Sequence, residues 1–458
     1  METARFLEYE PGQILLLPPD LRAWLEEGHL AYFILDVVEA LDLSEIYASY
    51  DGSRGGRPGF DPRLLVGLLV YGYCIGLTSS RKIEKATQES VPFRVLAANQ
   101  HPDHATIAEF RRRHLEALAR LFVQVLRLCE KAGLVRLGHV ALDGTKLRAN
   151  ASKHKAMSYG RMEEKVRELE AQVADLLAAA EAADQAEDAQ HGALRGDELP
   201  DELRFRQERL KKIQQAKAAL EAEAQAAAQK LREEKEAKAQ AQGQESDPVV
   251  ADPTATEPAR PAEKAQKNFT DPDSRIMRDG ATKSFEQSYN CQAIVDSQAQ
   301  VIVAAQVTQQ ANDKQQVEPL VEQMKVNLEG RKPAELSADA GYYSEDNVAY
   351  LEGEKIEPYI APGRPKKEAS PGEALESIPA AATAGERMAA KLRTPTGKKV
   401  YSKRKETVEP VFGQIKEARG IRRFLLRGLG SVQAEWSLIC ATHNLLKLFR
   451  SGWSPQVV

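Results

Sequence analysis

The sequence of 458 residues has few cysteines, few aromatic residues and no long apolar run. Its four cysteines lie far apart without a CxxC pair, which argues against a zinc ribbon or a redox motif and indicates reduced thiols. The first residues, METARFLEYEPGQ, lack the apolar segment of a signal peptide. The longest apolar run, from Leu64 to Gly76, is shorter than the ~20 residues that cross a bilayer. We therefore expect a soluble, cytoplasmic protein with no membrane partner.

A strong excess of either charge is also missing from the chain as a whole. The formal net charge is −4, which excludes a uniformly basic coat for nucleic acid. The distribution is nevertheless uneven, because the segment from Arg387 to Arg450 contains 15 Lys or Arg residues and only 4 Asp or Glu residues. That segment carries +11 and the remainder −15. The asymmetry predicts a basic working surface near the C-terminus.

Helical patterns dominate residues 1–135, which we interpret as an all-α region. Asp20 is placed to cap a helix that follows two prolines, and Asp61 precedes another helix that starts with proline. A third helical stretch is capped by Asp103 or by Thr106.

A mixed α/β domain follows and is interrupted by a long helical insertion. Short β-branched runs predict strands in residues 136–156 and 267–458. Between them, residues 157–242 predict an antiparallel coiled-coil hairpin of two helices, 157–187 and 201–242. Residues 243–266 are rich in proline and acidic residues and predict a disordered linker. The apolar seam of the hairpin comprises Met162, Val166, Leu169, Val173, Leu203, Leu210, Ile213 and Leu220.

Three acidic residues have settings that suit catalysis. Asp143 and Asp339 each follow an apolar strand and precede small residues, so their carboxylates can face an open cleft. Glu409 lies in a basic helix, and Lys416, seven residues later, falls on the same face of a regular helix. A lysine beside an acid suits a phosphodiester substrate. The chain has 67 acidic residues in total, and spacing alone does not distinguish these three from the rest.

Several longer motifs resemble a known family. The segments ALDGTKLRANAS, NFTDPDSRIM, ADAGYYS and VEPVFGQIKEARGIRRFLLRGL, together with PDHATIAEFRRRH, are similar to bacterial insertion-sequence transposases of the DDE superfamily. The resemblance covers almost the whole chain except the hairpin and its linker, which look like a variable insertion. It implies an RNase H-like catalytic domain, Mg²⁺ or Mn²⁺, and cut-and-paste DNA transposition.

The resemblance also implies roles for individual residues. Asp143, Asp339 and Glu409 match the three acids that bind metal, and Lys416 would contact a phosphate. Tyr401 and Arg404 match the start of the family's Tyr-Arg-Glu-Lys signature and would contact DNA. Four residues separate Arg404 from Glu409, where the family usually has three.

The expected partner is double-stranded DNA, namely the terminal inverted repeats and the target, bound by a homodimer at the nucleoid. Two other functions remain open: a catalytically inactive DNA-binding descendant, and a structural coiled-coil protein. The residues expected to contact the DNA backbone are Arg111, Arg112, Arg419, Arg422, Arg423 and Arg427.

Overall fold

The computed structural model describes residues 20–50, 59–191, 201–241, 259–279, 283–363 and 382–455. Some of the sequence predictions fall on other residues. These are the start of the helical region before Asp20, the break between the hairpin helices, and residues 243–258 of the predicted linker.

The N-terminal region is helical, as the sequence predicts, with one correction. Asp61 caps its helix through a hydrogen bond to the Arg63 N–H, and Asp103 caps another by accepting from the Thr106 N–H. Asp20, however, does not start an α-helix. Residues Leu21–Trp24 form one 3-10 turn, and the helix begins only after Gly28, a residue that disfavours helix interiors. The helices are α1 (Leu30–Ala40), α2 (Ser44–Ala48), α3 (Pro62–Ile75), α4 (Ser80–Glu89), α5 (Val91–Leu96), α6 (His104–Arg113) and α7 (Leu115–Lys131).

A mixed β-sheet forms the centre of the molecule. Strands β4 and β6 both pair with one edge of β5. On the other edge of β5 the order continues with β1, β7 and β8. Strand β5 is antiparallel to β1, β4 and β6, whereas β1, β7 and β8 run parallel to one another. The strands of this sheet are β1 (His139–Arg148), β4 (Arg275–Arg278), β5 (Phe285–Asp296), β6 (Val301–Thr308), β7 (Glu335–Ala338) and β8 (Glu357–Ile360).

The hairpin helices emerge from a small two-stranded sheet, β2 (Ala156–Ser158) with β3 (Gln266–Asn268), in which Ser158 pairs with Gln266. Tyr159, at the start of the first helix, contacts Glu221 in the second helix. Gln172, later in the first helix, contacts Arg206, which is earlier in the second, so the two helices are antiparallel. The helices are α8 (Tyr159–His191) and α9 (Asp201–Ala241), and their shared buried cluster contains Tyr159, Met162, Leu169, Ile213 and Leu220.

The remaining helices cover the sheet and join it to the N-terminal region. Outside the hairpin cluster, one continuous core runs from Ala31 to Leu448 and contains residues of both the N-terminal helices and the sheet, so the N-terminal helices do not have a core of their own. Gly76 shows how closely the two parts approach: its φ is +80°, and a Cβ there would lie 2.0 Å from the Arg419 backbone oxygen. The helices are α10 (Val317–Asn327), α11 (Glu345–Gly353), α12 (Ala384–Arg393), α13 (Pro395–Gly413) and α14 (Leu429–Arg450).

Within the described ranges, no single helix has the length and apolar character needed to cross a membrane. Helices α3 and α4 together pass that test by length and composition, although they are bent by 100° relative to each other.

Candidate active site

The first two predicted acids lie next to each other where the parallel pairing of β1 with β7 ends. Asp339 follows β7 directly, as the sequence predicted, whereas Asp143 lies within β1, which continues to Arg148. Leu142 of β1 pairs with Ala338 of β7, and the next residues along the two strands are Asp143 and Asp339. These residues are 196 positions apart in the sequence, and strand pairing alone brings them together. In sheets with parallel strands, ligands bind beyond the carboxyl ends of the strands, and Asp339 lies at such an end.

The Asp143 carboxylate is held from two directions. Its Oδ1 accepts a hydrogen bond from the Gly144 N–H at 2.8 Å, and its Oδ2 accepts from Arg404 Nη1 at 2.9 Å. Burial raises the pKa of Asp143 to about 6, and the charges of Asp339 and Asp313 act in the same direction, while the Gly144 hydrogen bond and Arg404 oppose them. The carboxylate therefore lies in a partly dehydrated site with an excess of negative charge.

Asp339 has a local reason for its orientation. It caps the 3-10 turn Ala340–Tyr342, and its Oδ1 accepts from the Gly341 N–H at 2.8 Å. A Cβ on Gly341 would lie 3.0 Å from that oxygen and 3.3 Å from Oδ2 of Asp313. A third carboxylate, in addition to Asp143, thus stands beside Asp339.

The sequence analysis missed Asp313, which lies between β6 and α10. Its Oδ1 accepts two hydrogen bonds of 2.7 Å, from Asn290 Nδ2 and from Gln292 Nε2. The signal in the sequence was the pair of carboxamides at alternate positions of an otherwise apolar strand, SYNCQAIVD. Buried carboxamides need polar partners, but the sequence does not say which segment supplies them.

Helix α13 brings Arg404 to the site but does not bring Glu409 into contact with the aspartates. The Arg404 guanidinium faces β1 with an exposed side-chain fraction of 11% and lies 5.8 Å from the centre of the Tyr401 ring. Glu409 is exposed, and it makes no ion pair or side-chain hydrogen bond with any described residue. Glu409 comes five positions after Arg404 in the helix, which turns it by about 140° from the face that meets the sheet.

Lys416 lies close to β1, just beyond Asp143. Its Nζ is 3.2 Å from Thr145 Oγ1 and 3.4 Å from the Lys146 carbonyl oxygen. The argument from the seven-residue spacing to Glu409 assumed a regular helix. Residues Gln414–Ala418 form a π-helical turn instead, so the spacing does not place Glu409 and Lys416 on one face.

Two of the predicted DNA-binding arginines are buried, and the structure contradicts their assignment. Arg111 donates to the Thr78 carbonyl at 3.0 Å and to the Tyr73 hydroxyl at 3.4 Å. Arg419, with 5% of its surface exposed, donates to Thr442 Oγ1 at 2.8 Å. The Arg111 guanidinium joins α6 to α3 and the turn after it, and the Arg419 guanidinium joins α3 to α14 through the Tyr73 carbonyl and Thr442, so neither is available to phosphate. Burial lowers the pKa of Arg419 to about 10.

The other predicted arginines are exposed. Arg112 pairs with Glu109 at 2.5 Å, and Arg422 pairs with its neighbour Glu417. Arg423 lies beside the end of β1 through a backbone bridge with Arg148, and Arg427 Nε donates to the Asn150 carbonyl at 2.9 Å. The loop that follows α13 therefore presents a basic surface along the strand of Asp143, made of Arg148, Arg422, Arg423 and Arg427.

The donor chemistry of the site fits Mg²⁺ or Mn²⁺, which prefer carboxylate oxygens. Asp143, Asp339 and Asp313 concentrate negative charge that a divalent cation would neutralise. In the part of the chain that the structure describes, no three His, Cys, Asp or Glu side chains form a ready-made metal-binding group.

Comparisons with known proteins identify two segments. A family model described as the transposase DDE domain matches residues 253–445, and the transposase domain DUF772 matches residues 19–113. The first match contains Asp339, Glu409 and Lys416, whereas β1 with Asp143 lies before it, on the other side of the hairpin. A search of curated proteins and a search of solved structures each found no match. The mixed sheet and its flanking helices agree with the RNase H-like fold that the sequence predicted, and the chain belongs to the insertion-sequence transposases of the DDE superfamily.

Proposed function

We propose that this transposase cuts and joins DNA at the ends of its mobile element with Mg²⁺ or Mn²⁺ held by Asp143, Asp339 and Glu409. The observation that carries the proposal is the parallel pairing of β1 with β7, which ends at Leu142 and Ala338 and so sets the next residues, Asp143 and Asp339, beside each other. Bound divalent ions would activate the attacking oxygen and stabilise the leaving oxygen of a phosphodiester. Glu409 is included because of its motif position alone. In this structure its side chain is exposed on α13.

Arg404 and Lys416 would have different tasks around the aspartates. Arg404 opposes the rise in the pKa of Asp143, and its hydrogen bond fixes the direction of one carboxylate oxygen. Arg404 therefore acts first on the carboxylate and not on DNA. Lys416 Nζ, held beside Thr145, would bind a phosphate as a compact positive charge.

DNA would lie along the basic surface of Arg148, Arg422, Arg423 and Arg427. This surface continues the strand that carries Asp143, so phosphates bound there would lead toward the aspartates. Tyr401, at the edge of α13, and Arg112, on α6, are further candidates for backbone contacts. The substrate would be the terminal inverted repeats and then the target, held by a homodimer at the nucleoid.

The test is a plasmid carrying the DNA that flanks the gene, incubated with the purified full chain and Mg²⁺ or Mn²⁺. We expect nicking at the element ends by the wild type and none by Asp143→Asn or Asp339→Asn, while both variants still bind the DNA. Asp103→Asn is the matched control, because asparagine caps a helix as well as aspartate does. Cleavage by Asp143→Asn that still depends on metal would refute the assignment.

A catalytically inactive DNA-binding protein is the second candidate. It is favoured by the exposed position of Glu409 and by the Arg404 guanidinium on Asp143. In that case the wild type would bind the element ends specifically and would show no nicking with either metal.

A further inference from the structure

A carboxylate outside the predicted set of acids lies next to Asp339. The position that a Cβ of Gly341 would take is 3.0 Å from Asp339 Oδ1 and 3.3 Å from Asp313 Oδ2. Both carboxylate oxygens therefore border the space that Gly341, which has no side chain, leaves open. Asp313 reaches this space from the loop between β6 and α10.

Two buried carboxamides fix the orientation of Asp313. Asn290 and Gln292, with 2% and 0% of their surfaces exposed, both donate to Oδ1 of Asp313 at 2.7 Å. Hydrogen bonds to an ionised carboxylate are stronger than those between neutral groups. Oδ2 accepts no hydrogen bond from any described residue, so the free oxygen is the one beside Asp339.

The orientation of the Gln292 amide is itself determined. The buried Tyr342 hydroxyl donates to Gln292 Oε1, which leaves Nε2 as the atom that faces Asp313. Gly144 accommodates this arrangement, since a Cβ there would lie 2.5 Å from Gln292 Nε2. A chain of contacts thus runs from the turn that follows Asp339, through β5, to Asp313.

This arrangement places like charges together without a cation among the described side chains to neutralise Asp313 or Asp339. Asp313 Oδ2 and Asp339 Oδ1 border the space beside Gly341, and Asp143 is next to Asp339 across the β1–β7 pair. Neighbouring carboxylates repel each other unless a proton or a metal ion compensates them. If Asp313 served only to accept hydrogen bonds from Asn290 and Gln292, a neutral acceptor could take its place.

We propose that Asp313 is a fourth carboxylate of the active site, which binds the same divalent cation as Asp339 and is positioned by Asn290 and Gln292. The inference rests on the proposed function. It assigns a residue between the first and second acids of the DDE set, and it makes Asn290 and Gln292 positioning residues for metal binding.

The experiment measures Mn²⁺ affinity of the full chain by isothermal titration calorimetry without DNA. We expect Asp313→Asn to weaken binding by about 10-fold or more, in the range of losses seen when groups around a metal are removed. Gln292→Met keeps the volume and removes the donor, so we expect a smaller loss of several-fold. The matched control is Asp296→Asn, at the far end of β5, where the carboxylate accepts from the Leu137 N–H at 2.7 Å. It should lower the unfolding temperature and leave the Mn²⁺ affinity unchanged.

Wild-type Mn²⁺ affinity in Asp313→Asn, with a lower unfolding temperature, would overturn the inference and make Asp313 a structural acceptor. If that variant does not fold, unchanged affinity in Gln292→Met overturns it. Asp143→Asn and Asp339→Asn separate this failure from failure of the proposed function. If both lose Mn²⁺ while Asp313→Asn keeps it, only the inference fails, and if the wild type binds no Mn²⁺ and does not nick DNA, the proposed function fails as well.

Discussion

Gly341 has no side chain, and this allows the carboxylates of Asp339 and Asp313 to border the same space. Gly341 follows Asp339 by two residues, and its backbone is not in the left-handed region, so an alanine there is acceptable to the backbone itself. The obstacle is the contact that a methyl group would make with two carboxylate oxygens, at 3.0 and 3.3 Å.

We therefore predict that Gly341→Ala reduces DNA cleavage on the order of 10- to 100-fold, because displaced catalytic groups cost about that much. The unfolding temperature should change little, since the gain of roughly 0.4–1 kcal/mol from restricting the unfolded chain offsets the cost of the close contact with the two oxygens. Nicking rate and thermal unfolding are measured on the same preparation. Gly353→Ala is the control, because no atom lies within 4 Å of its Cβ position. Wild-type cleavage by Gly341→Ala would show that the carboxylates do not act together.

At the level of single residues, the sequence predicted those whose setting is local. Asp143 and Asp339 each follow a recognisable apolar run and precede small residues, although the first strand continues past Asp143 to Arg148. Asp313 could not be predicted, because its partners are side chains of another strand. Arg419 was misassigned for the same reason: a basic sequence segment does not reveal which arginine turns inward to Thr442.

Helix α14 is the element that joins the sheet to the N-terminal helices, and it contains a buried histidine. His443 Nδ1 lies 3.0 Å from Gln414 Oε1, and Nε2 lies 3.0 Å from the Gln300 carbonyl oxygen. Burial lowers the pKa of His443 to about 3, and the charges of Arg419, Lys447 and Arg450 act in the same direction. Burial likewise lowers the pKa of His139, to about 4.

These values predict how stability depends on pH. Above pH 6.5, the ordinary pKa of histidine, His443 is neutral in both states and its contribution to stability is complete. Between pH 6.5 and about 3 only the unfolded chain gains the proton, so stability is lost at roughly 1.4 kcal/mol per pH unit. His443→Gln should remove that part of the slope in urea unfolding between pH 6 and 4. The control is the exposed His154→Gln, which should leave the slope unchanged. An unaltered slope in His443→Gln would mean that His443 is protonated in the native protein.

The loop after α13 is the element that we expect to contact the DNA backbone. Replacing Arg422 and Arg423 together by alanine should weaken specific and non-specific DNA binding alike and flatten its salt dependence by up to about two units. The measurement is DNA affinity at several salt concentrations. Lys211→Ala with Lys212→Ala removes the same charge from the exposed face of α9 and should leave the salt slope unchanged. Loss of thermal stability with an unchanged salt slope would assign the pair an internal role, such as the contact of Arg422 with Glu417.

Elements with strong periodicity were the easiest to predict. The hairpin helices begin and end within a few residues of their predicted positions because their apolar seam repeats over many turns. The π-helical turn at Gln414–Ala418 was not predictable, since it depends on packing against the sheet and on the approach of Lys416 to β1.

At the scale of the whole molecule, the described part of the hairpin leaves the sheet at the β2–β3 pair. Ser158 and Gln266 are partners in the β2–β3 pair, so a short turn can join them directly. We predict that replacing residues 159–265 by such a turn leaves the catalytic sheet folded, with nicking activity retained and a reduced helical signal in circular dichroism. The unfolding temperature should fall slightly, because the replacement removes the ion pair between Lys267 and Glu223 at the base of the hairpin. A chain that no longer folds would show that the hairpin is part of the core.

The β2–β3 pair also affects how the chain reaches its native state. Strands β1 and β5 are neighbours in the sheet, yet the entire hairpin separates them along the chain, and closing so long a loop costs conformational entropy. The hairpin helices contact each other locally, and the β2–β3 pair brings the two ends of the insertion together. If that unit forms first, the loop that remains is roughly fivefold shorter, which reduces its closure entropy by about 1.5 kcal/mol. The insertion would then fold before the sheet. The rate at which β1 pairs with β5 would depend little on the length of the insertion.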